Sequence, residues 1–456
     1  MISHLIGKKK LSLASLAITL QILLVLIALS GFTVTAKNDN LPADLKLIRT
    51  SRRLIDGYGN EIWPGFGDSP APVLLSAGDY DYLVGHPNPP DGFKRVRDKR
   101  NLYRKKGHLL KRPAATSYPV GGVWSVAIPA REELVAWVRA QMGKSGFQLS
   151  RADYLRTLIH ESFHAFQMSS VGGPGKVPDF GHLGPHREIQ RRLSGSKWWE
   201  DRIVEIGRFL ARTLEAENLT DTRAEAGKAL KLTNSGPSQL TPAMVSFEKT
   251  IQWLEGTARY AGTMAMMNSH RIELGAGTEI ELKPPAKIRS DLTDQLTNPL
   301  TGPTPVRDRL AAVGAVKAMV LDRLYPAWKN GFLENKLGLD ELLNSAVNVP
   351  APLVDFPITG VKLNGEDLTV ALANNSSRRS HGLQHVADLE PLDGMVFTFP
   401  RDVRTGFWMK DTEISLQIGF FGSDGRLQES VVLDPCNSSS CPSHTPEKEF
   451  RYVLEL

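Results

Sequence analysis

The residues best suited to chemistry lie in Thr157-Leu-Ile-His-Glu-Ser-Phe-His-Ala-Phe-Gln167, which contains His160-Glu161-x-x-His164. Residues four apart on a helix stand one above the other on the same face. His160 and His164 can therefore offer two imidazole nitrogens to one Zn²⁺, and Glu161, one residue round, lies near the water such a metal would activate. That makes Glu161 the candidate general base. Leu155, Leu158, Ile159, Phe163 and Phe166 recur at helical spacing and would anchor the helix by an apolar face. The plainer alternative is a helix with two incidental histidines. A helical, apolar setting and a third ligand are what separate the two.

The elements around the motif can be read in order. Ser150-Arg-Ala-Asp153 is a helix start, with Ser150 as N-cap and Asp153 three residues on, and the helix is expected to run to about Met168. Before it, Leu41–Ile55 reads as a short helix interrupted by Gly57 and Gly59. Strands are expected at Val73–Ser76, Tyr80–His86, His108–Lys111 and Val123–Ile128, a small sheet whose edge could line a cleft. Glu132–Met142 is amphipathic. After the motif, the Gly/Pro-rich stretch 169–185 is a candidate cleft rim that carries His182, with His186 just beyond. Helical stretches follow at Trp198–Glu217 and Asp221–Leu232. Another opens at Thr241-Pro242, with proline in its first turn. Ser269–Pro305 is polar, Arg307–Trp328 and Leu339–Ala346 are helical, and the Pro-rich Val347–Pro357 reads as an interdomain linker.

The helix opened by Pro242 carries Trp253-Leu-Glu-Gly-Thr-Ala-Arg-Tyr260. This segment resembles the second signature of the gluzincin group of metallopeptidases, in which a glutamate on a later helix completes a His-His-Glu zinc site. The resemblance implies that Glu255 is the third ligand. Gly256 and Ala258 are small enough for close packing against the motif helix, and Glu248, two turns earlier, is the fallback ligand. The implied domain is a mainly helical, zincin-like metalloprotease domain with a small N-terminal sheet, residues 37–346. The donor that stabilises the oxyanion would come from His182, His186, Tyr260 or His270.

From Ile358 the chain alternates short strands and turns, including Asn364-Gly365 and Ser423-Asp-Gly425, so residues 358–456 are expected to form a small β-barrel. The motifs Arg379-Ser-His-Gly-Leu383, Asp393-Gly-Met-Val-Phe397, Phe407-Trp-Met-Lys-Asp-Thr412, Ile418-Gly-Phe-Phe421 and Arg451-Tyr-Val-Leu-Glu455 occur in that order. Asp424-Gly425, Pro435-Cys436 and Cys441-Pro442 fall between the last two. The region resembles the domain of unknown function family 192, with a departure at Gln384-His385-Val386, where that family usually has a methionine and a basic residue. The family carries no settled activity, so the resemblance implies a fold and not a reaction. Trp408-Met409 reads either as barrel core or as the wall of an apolar cleft. The expected class of the whole chain is α+β.

The 456 residues, 41% hydrophobic and 23% charged, suit a multidomain globular protein. The net charge of +6 is concentrated between Phe93 and Arg112, where ten Lys or Arg accompany one Asp. With no aromatic interleaving or recognised nucleic-acid motif, this stretch reads as a solvated basic loop and strand edge, and no nucleic-acid partner is expected. Lys8–Lys10 precede an apolar run from Leu11 to about Leu29, and Val34-Thr35-Ala36 offers small residues for signal peptidase. Residues 1–36 are thus expected to be a signal peptide, with Lys37 the mature start, or an uncleaved anchor tethering the protein to a membrane. Either sends the remainder out of the cytoplasm. There Cys436 and Cys441 can form a disulfide that stiffens a local loop. The sequence therefore points to an exported zinc metallopeptidase acting on a protein or peptide substrate. An envelope binding or assembly protein with a non-catalytic metal is the alternative, and a metal-dependent hydrolase of some other bond, for example in cell-wall material, is a third reading. Oligomeric state is not legible.

Overall fold

The computed structural model describes residues 41–456 apart from 69, 98, 111–114, 143–145, 179–185, 237, 272–279, 299–304 and 439. The expected signal segment 1–36, Lys37 and His182 lie outside the described residues. Among the described residues, no helix is long and apolar enough to cross a membrane. The chain forms two compact units. One runs to Val204 and takes in Leu240–Ala315, and the other joins Glu205–Gln239 to Val316–Leu456.

In the first unit, helix α1 (Leu41–Ile62) continues through Gly57 and Gly59, where the sequence reading ends it. Burial explains the extension. Leu54, Ile55 and Ile62 pack inside, while a Cβ on Gly59 would come within 2.7 Å of Gly67 Cα. Glycine is needed there for a close approach, and packing outweighs its poor helix propensity.

The sheet has six strands: β1 (Val73–Ala77), β2 (Tyr80–Val84), β3 (Lys94–Arg95), β4 (Leu102–Lys106), β5 (Thr116–Val120) and β6 (Val123–Pro129). Their order is β3-β4-β2-β1-β6-β5, with β1 and β6 parallel and the remaining pairs antiparallel. Of the strand expected at His108–Lys111, the described residues His108–Leu110 are not in a strand. Gly107, at φ +83°, turns the chain out of β4, and His108 instead bonds the Asp81 carboxylate at 2.9 Å and Gly78 O at 3.0 Å. One sheet face places Val73, Leu75, Val126 and Ile128 in a core with Leu134, Tyr154 and Leu158. The last three belong to helices α2 (Arg131–Met142) and α3 (Arg151–Val171).

Helix α3 carries the motif and is the centre of this unit. Ser150 caps it by accepting the Asp153 N–H at 3.0 Å, and its hydroxyl donates to the Asp153 carboxylate at 2.7 Å. Gly172, at φ +80°, ends it and donates its N–H to Met168 O. Leu155, Leu158, Ile159 and Phe163 are fully buried. The Tyr154 hydroxyl donates to Pro129 O at 2.8 Å and pins the helix to β6. Strand β6 and the edge strand β5 both pack against α3.

Helices α4 (His186–Leu193), α5 (Lys197–Glu215) and α6 (Leu219–Asn234) follow. Helix α7 (Pro242–Ile251), N-capped by Thr241, passes through a π-turn at Gln252–Gly256 into α8 (Thr257–Asn268). Helix α9 (Pro285–Thr297), which buries Leu292 and Leu296, lies in the stretch read from sequence as merely polar. Helix α10 (Pro305–Leu324) and α11 (Leu339–Val347) complete the helical part. The expected linker, Val347–Pro357, is held in place within the second unit. Leu353 and Phe356 are buried, and Arg223 donates to the carbonyls of Ala346, Val354 and Phe356.

The C-terminal strands are β7 (Ile358–Leu363), β8 (Glu366–Ala373), β9 (Gly394–Val403), β10 (Phe407–Trp408), β11 (Leu416–Phe421), β12 (Leu427–Leu433), β13 (Ser443–His444) and β14 (Phe450–Glu455), with the short helix α12 (Ser376–His381) after β8. They do not close into the expected barrel. Six make an open sheet of order β12-β11-β14-β9-β8-β7, and β10 pairs with β13 separately. The physical reason lies in the edges of the strand order. That order leaves β7 at one edge and β12 at the other, and the two edges do not pair. Cys436 and Cys441 are joined in a disulfide.

Candidate metal centre

His160 and His164 project from α3 one turn apart, and Glu255 reaches them from the π-turn. Their ligand-type atoms all lie within 4.8 Å of one another. The Nε2 atoms of His160 and His164 stand 3.5 Å and 3.4 Å from the same Glu255 oxygen, Oε2. A π-turn adds a residue to the helical repeat and re-aims the side chains on it. That turn carries Glu255 at the point where α7 becomes α8.

Small residues set the helix spacing, but not as the sequence suggested. A Cβ on Gly256 would come within 2.7 Å of Gly314 Cα, so Gly256 serves the contact with α10 rather than α3. Gly262, on α8, is the glycine against the motif helix, with the Arg156 side chain 3.5 Å and His160 Cβ 3.8 Å from the position of an added Cβ.

The surrounding polar groups orient the cluster. His164 Nδ1 bonds Gln167 Oε1 at 2.7 Å, and Gln167 Nε2 donates to Thr257 Oγ1 at 2.8 Å and Leu254 O at 3.3 Å. Arg307, from α10, donates to Glu255 Oε1 at 2.6 Å, which leaves Oε2 to face the imidazoles. His160 Nδ1 is buried with no partner among the described residues. The site is largely closed, with His160 2%, Glu161 4% and His164 8% exposed.

Charge is distributed unevenly. For Glu255, burial favours the neutral acid, but Arg307 and His164 outweigh it and hold the carboxyl well below its ordinary value. Burial, helped by His164, pushes His160 down to about 4. Burial also disfavours a charged His164, yet the Glu255 carboxylate overrides it and raises His164 to about 9. Burial lifts Glu161 to about 7, in the range where a carboxyl can both take and return a proton near neutrality.

Glu248, the fallback ligand, has a different task. Its carboxylate accepts the Trp199 indole N–H at 2.6 Å and bonds Arg202 Nη1 through both oxygens at 3.1 Å. It is a buried structural anchor and does not join the histidines. Among the proposed oxyanion donors, the Tyr260 hydroxyl is buried and points to Ile62 O at 3.5 Å, and exposed His270 bonds Met267 O at 2.6 Å. His186 is described only by its place at the start of α4. Sequence reasoning missed Arg307 and Gln167. Gln167, three residues after His164, was legible by helical spacing, whereas nothing in the spacing of Arg307 marks it.

Could these residues hold zinc? Zn–N and Zn–O bonds of about 2.0–2.1 Å at tetrahedral angles separate ligand atoms by about 3.3–3.4 Å. The two nitrogen-to-oxygen separations match that spacing and are long for hydrogen bonds. The donor set of two imidazoles and one carboxylate is that of a catalytic rather than a four-ligand structural site. The residues fit the ion.

Comparison with known protein families identifies the C-terminal part. Residues 359–456 match the family DUF192, described as "Uncharacterized ACR", and form a β-sheet domain of that family. A solved structure from Sinorhizobium meliloti 1021, described as a candidate transcription regulator, is 31% identical over 21% of this chain and 75% of its own, with TM-score 0.19. A protein of unknown function from Novosphingobium aromaticivorans DSM 12444 is 23% identical over 25% of this chain and 82% of its own, with TM-score 0.21. No curated protein matches the chain.

Proposed function

We propose that the helical unit is a zinc-dependent metallopeptidase, with His160, His164 and Glu255 as ligands and Glu161 as general base. The observation that carries this reading is the shared approach of both imidazole Nε2 atoms to Glu255 Oε2 at 3.4–3.5 Å. When bound, zinc supplies a Lewis acid that polarises a carbonyl and lowers the pKa of water toward neutrality. Glu161 takes the proton of the attacking water and delivers it to the leaving amine. Gln167 fixes the tautomer and orientation of His164. Arg307 holds one oxygen of Glu255, so the carboxylate offers the other to the ion. The edge strand β5 lies beside α3 and can pair with an extended peptide by strand addition. We place the work outside the cytoplasm, a reading supported by the apolar segment before Lys37 and by the Cys436–Cys441 disulfide.

A second reading, a non-catalytic metal in an envelope binding or assembly protein, draws on one observation: the near-complete burial of His160, Glu161 and His164. Hydrolysis of a mixed fluorogenic peptide library separates the two. The peptidase reading expects cleavage that stops on chelation, returns with zinc and is absent in Glu161→Gln. A zinc-loaded protein that cleaves no peptide in the library would favour the second reading.

A further inference from the structure

The C-terminal sheet contains a cavity of about 350 Å³, at the small end of the roughly 300–1,000 Å³ typical of small-molecule sites. Its walls include Phe397, Phe407 and Trp408, and its polar groups include Arg379, His381 and Glu455. The strand register explains how these meet. Glu455 on β14 pairs with Met395 on β9, and Val453 pairs with Phe397, so Glu455 and Phe397 share one face of the sheet. Helix α12 brings Arg379 and His381 to the same cavity.

Each polar group there is placed, and each keeps bonding capacity in reserve. Arg379 donates one N–H to Thr398 O at 2.9 Å and lies over the Phe399 ring at 4.9 Å. Among the described residues no carboxylate pairs with it. Glu455 is 5% exposed, and no described donor reaches its carboxyl. His381 Nε2 is buried with no partner among the described residues. Buried polar groups left in this condition are rare, because desolvating them without a bond is unfavourable. A ligand that supplies the missing bonds removes the penalty.

We propose that this cavity binds a small organic acid, with its carboxylate on Arg379, its polar edge reached by His381 and Glu455, and its apolar body against Phe397, Phe407 and Trp408. A guanidinium with unused donors matches a carboxylate in geometry and charge. Burial raises Glu455 to about 8, so at neutral pH it is mainly a neutral O–H donor that does not repel an anion beside it. Trp408, 53% exposed, forms the rim and closes over the apolar end of the ligand. The site lies in the sheet domain and does not depend on the zinc reading.

The test is calorimetry and saturation-transfer NMR on the full chain with 3-phenylpropionate and its neutral amide. The acid is expected to bind at least tenfold tighter than the amide. Arg379→Gln should remove that difference while leaving the amide unchanged, and Trp408→Ala should weaken both several-fold. Equal binding of acid and amide, binding of neither at millimolar concentration, or an Arg379→Gln protein that binds the acid like the parent overturns the proposal. Arg379 also braces Thr398 and Phe399, so its variant is judged only where its far-ultraviolet spectrum is native. If it does not fold, the acid–amide ratio and Trp408→Ala decide.

Discussion

Glu255 in the helical unit and Glu455 in the C-terminal sheet are both largely buried carboxyls, and their neighbours differ. Glu255 meets Arg307 on one oxygen and two imidazoles on the other, so it stays ionised despite burial. Glu455 meets no cation and no donor among the described residues, and burial alone governs it. The first environment stabilises a negative charge and aims it at a point two nitrogens also face. That is how a cation site is built. The second suppresses the negative charge and leaves an O–H lining the same cavity as a guanidinium with unused donors, which suits an anionic ligand. Burial is common to both, so charge partners decide what each carboxyl can do.

The sharpest break between the two regions should come from Glu161→Gln. It removes the proposed proton carrier beside the proposed ligands, so peptide hydrolysis should fall about a thousandfold with zinc content unchanged. Acid binding in the sheet cavity should be unaffected. Glu248→Ala is next. Removing the carboxylate between Trp199 and Arg202 should lower stability by about 3 kcal/mol in denaturant titration and leave bound zinc in place. Loss of zinc from a folded Glu248→Ala protein would overturn the distinction between the two glutamates of this helical run.

Gln167→Ala tests whether orientation matters as well as identity. Removing the bond to His164 Nδ1 should weaken zinc binding by about 10–100-fold in competition with a chelator. The smallest effect belongs to Glu455→Gln and is set by pH. The folded carboxyl sits at about 8 against an ordinary 4.5, so its contribution is intact below 4.5 and is lost as pH rises through 8. Melting curves should show the variant gaining stability at pH 9 and almost nothing at pH 4.5. A gain equal at both values would mean that burial does not hold Glu455 neutral.

The motif helix was legible because its information is local. Ser150 and Asp153 mark its start, and the apolar residues recur at helical spacing up to a left-handed glycine. The strands of the C-terminal sheet were largely legible for the same reason, with β12 found at its full length. Closure was not. Whether strands make a barrel depends on which edges meet, and neither the parallel β8–β9 pairing nor the unpaired β7 and β12 edges have a mark in alternation or turns. In the site, the type and spacing of His160, Glu161 and His164 stood out. Separating Glu255 from Glu248 depended on resemblance to a known signature, because both lie on one apolar helical run. Only the side-chain partners separate them: Trp199 and Arg202 engage Glu248, while Glu255 turns toward imidazole. Arg307, whose role depends on the α10 crossing at Gly314, lay beyond local reasoning.

Metal content by mass spectrometry tests most directly whether two helices of this unit assemble a zinc site. The account predicts about one zinc for each full-length chain, lost in Glu255→Ala and kept in Glu248→Ala. A folded protein that takes up no zinc when zinc is supplied, or one that keeps it after Glu255→Ala, would contradict it.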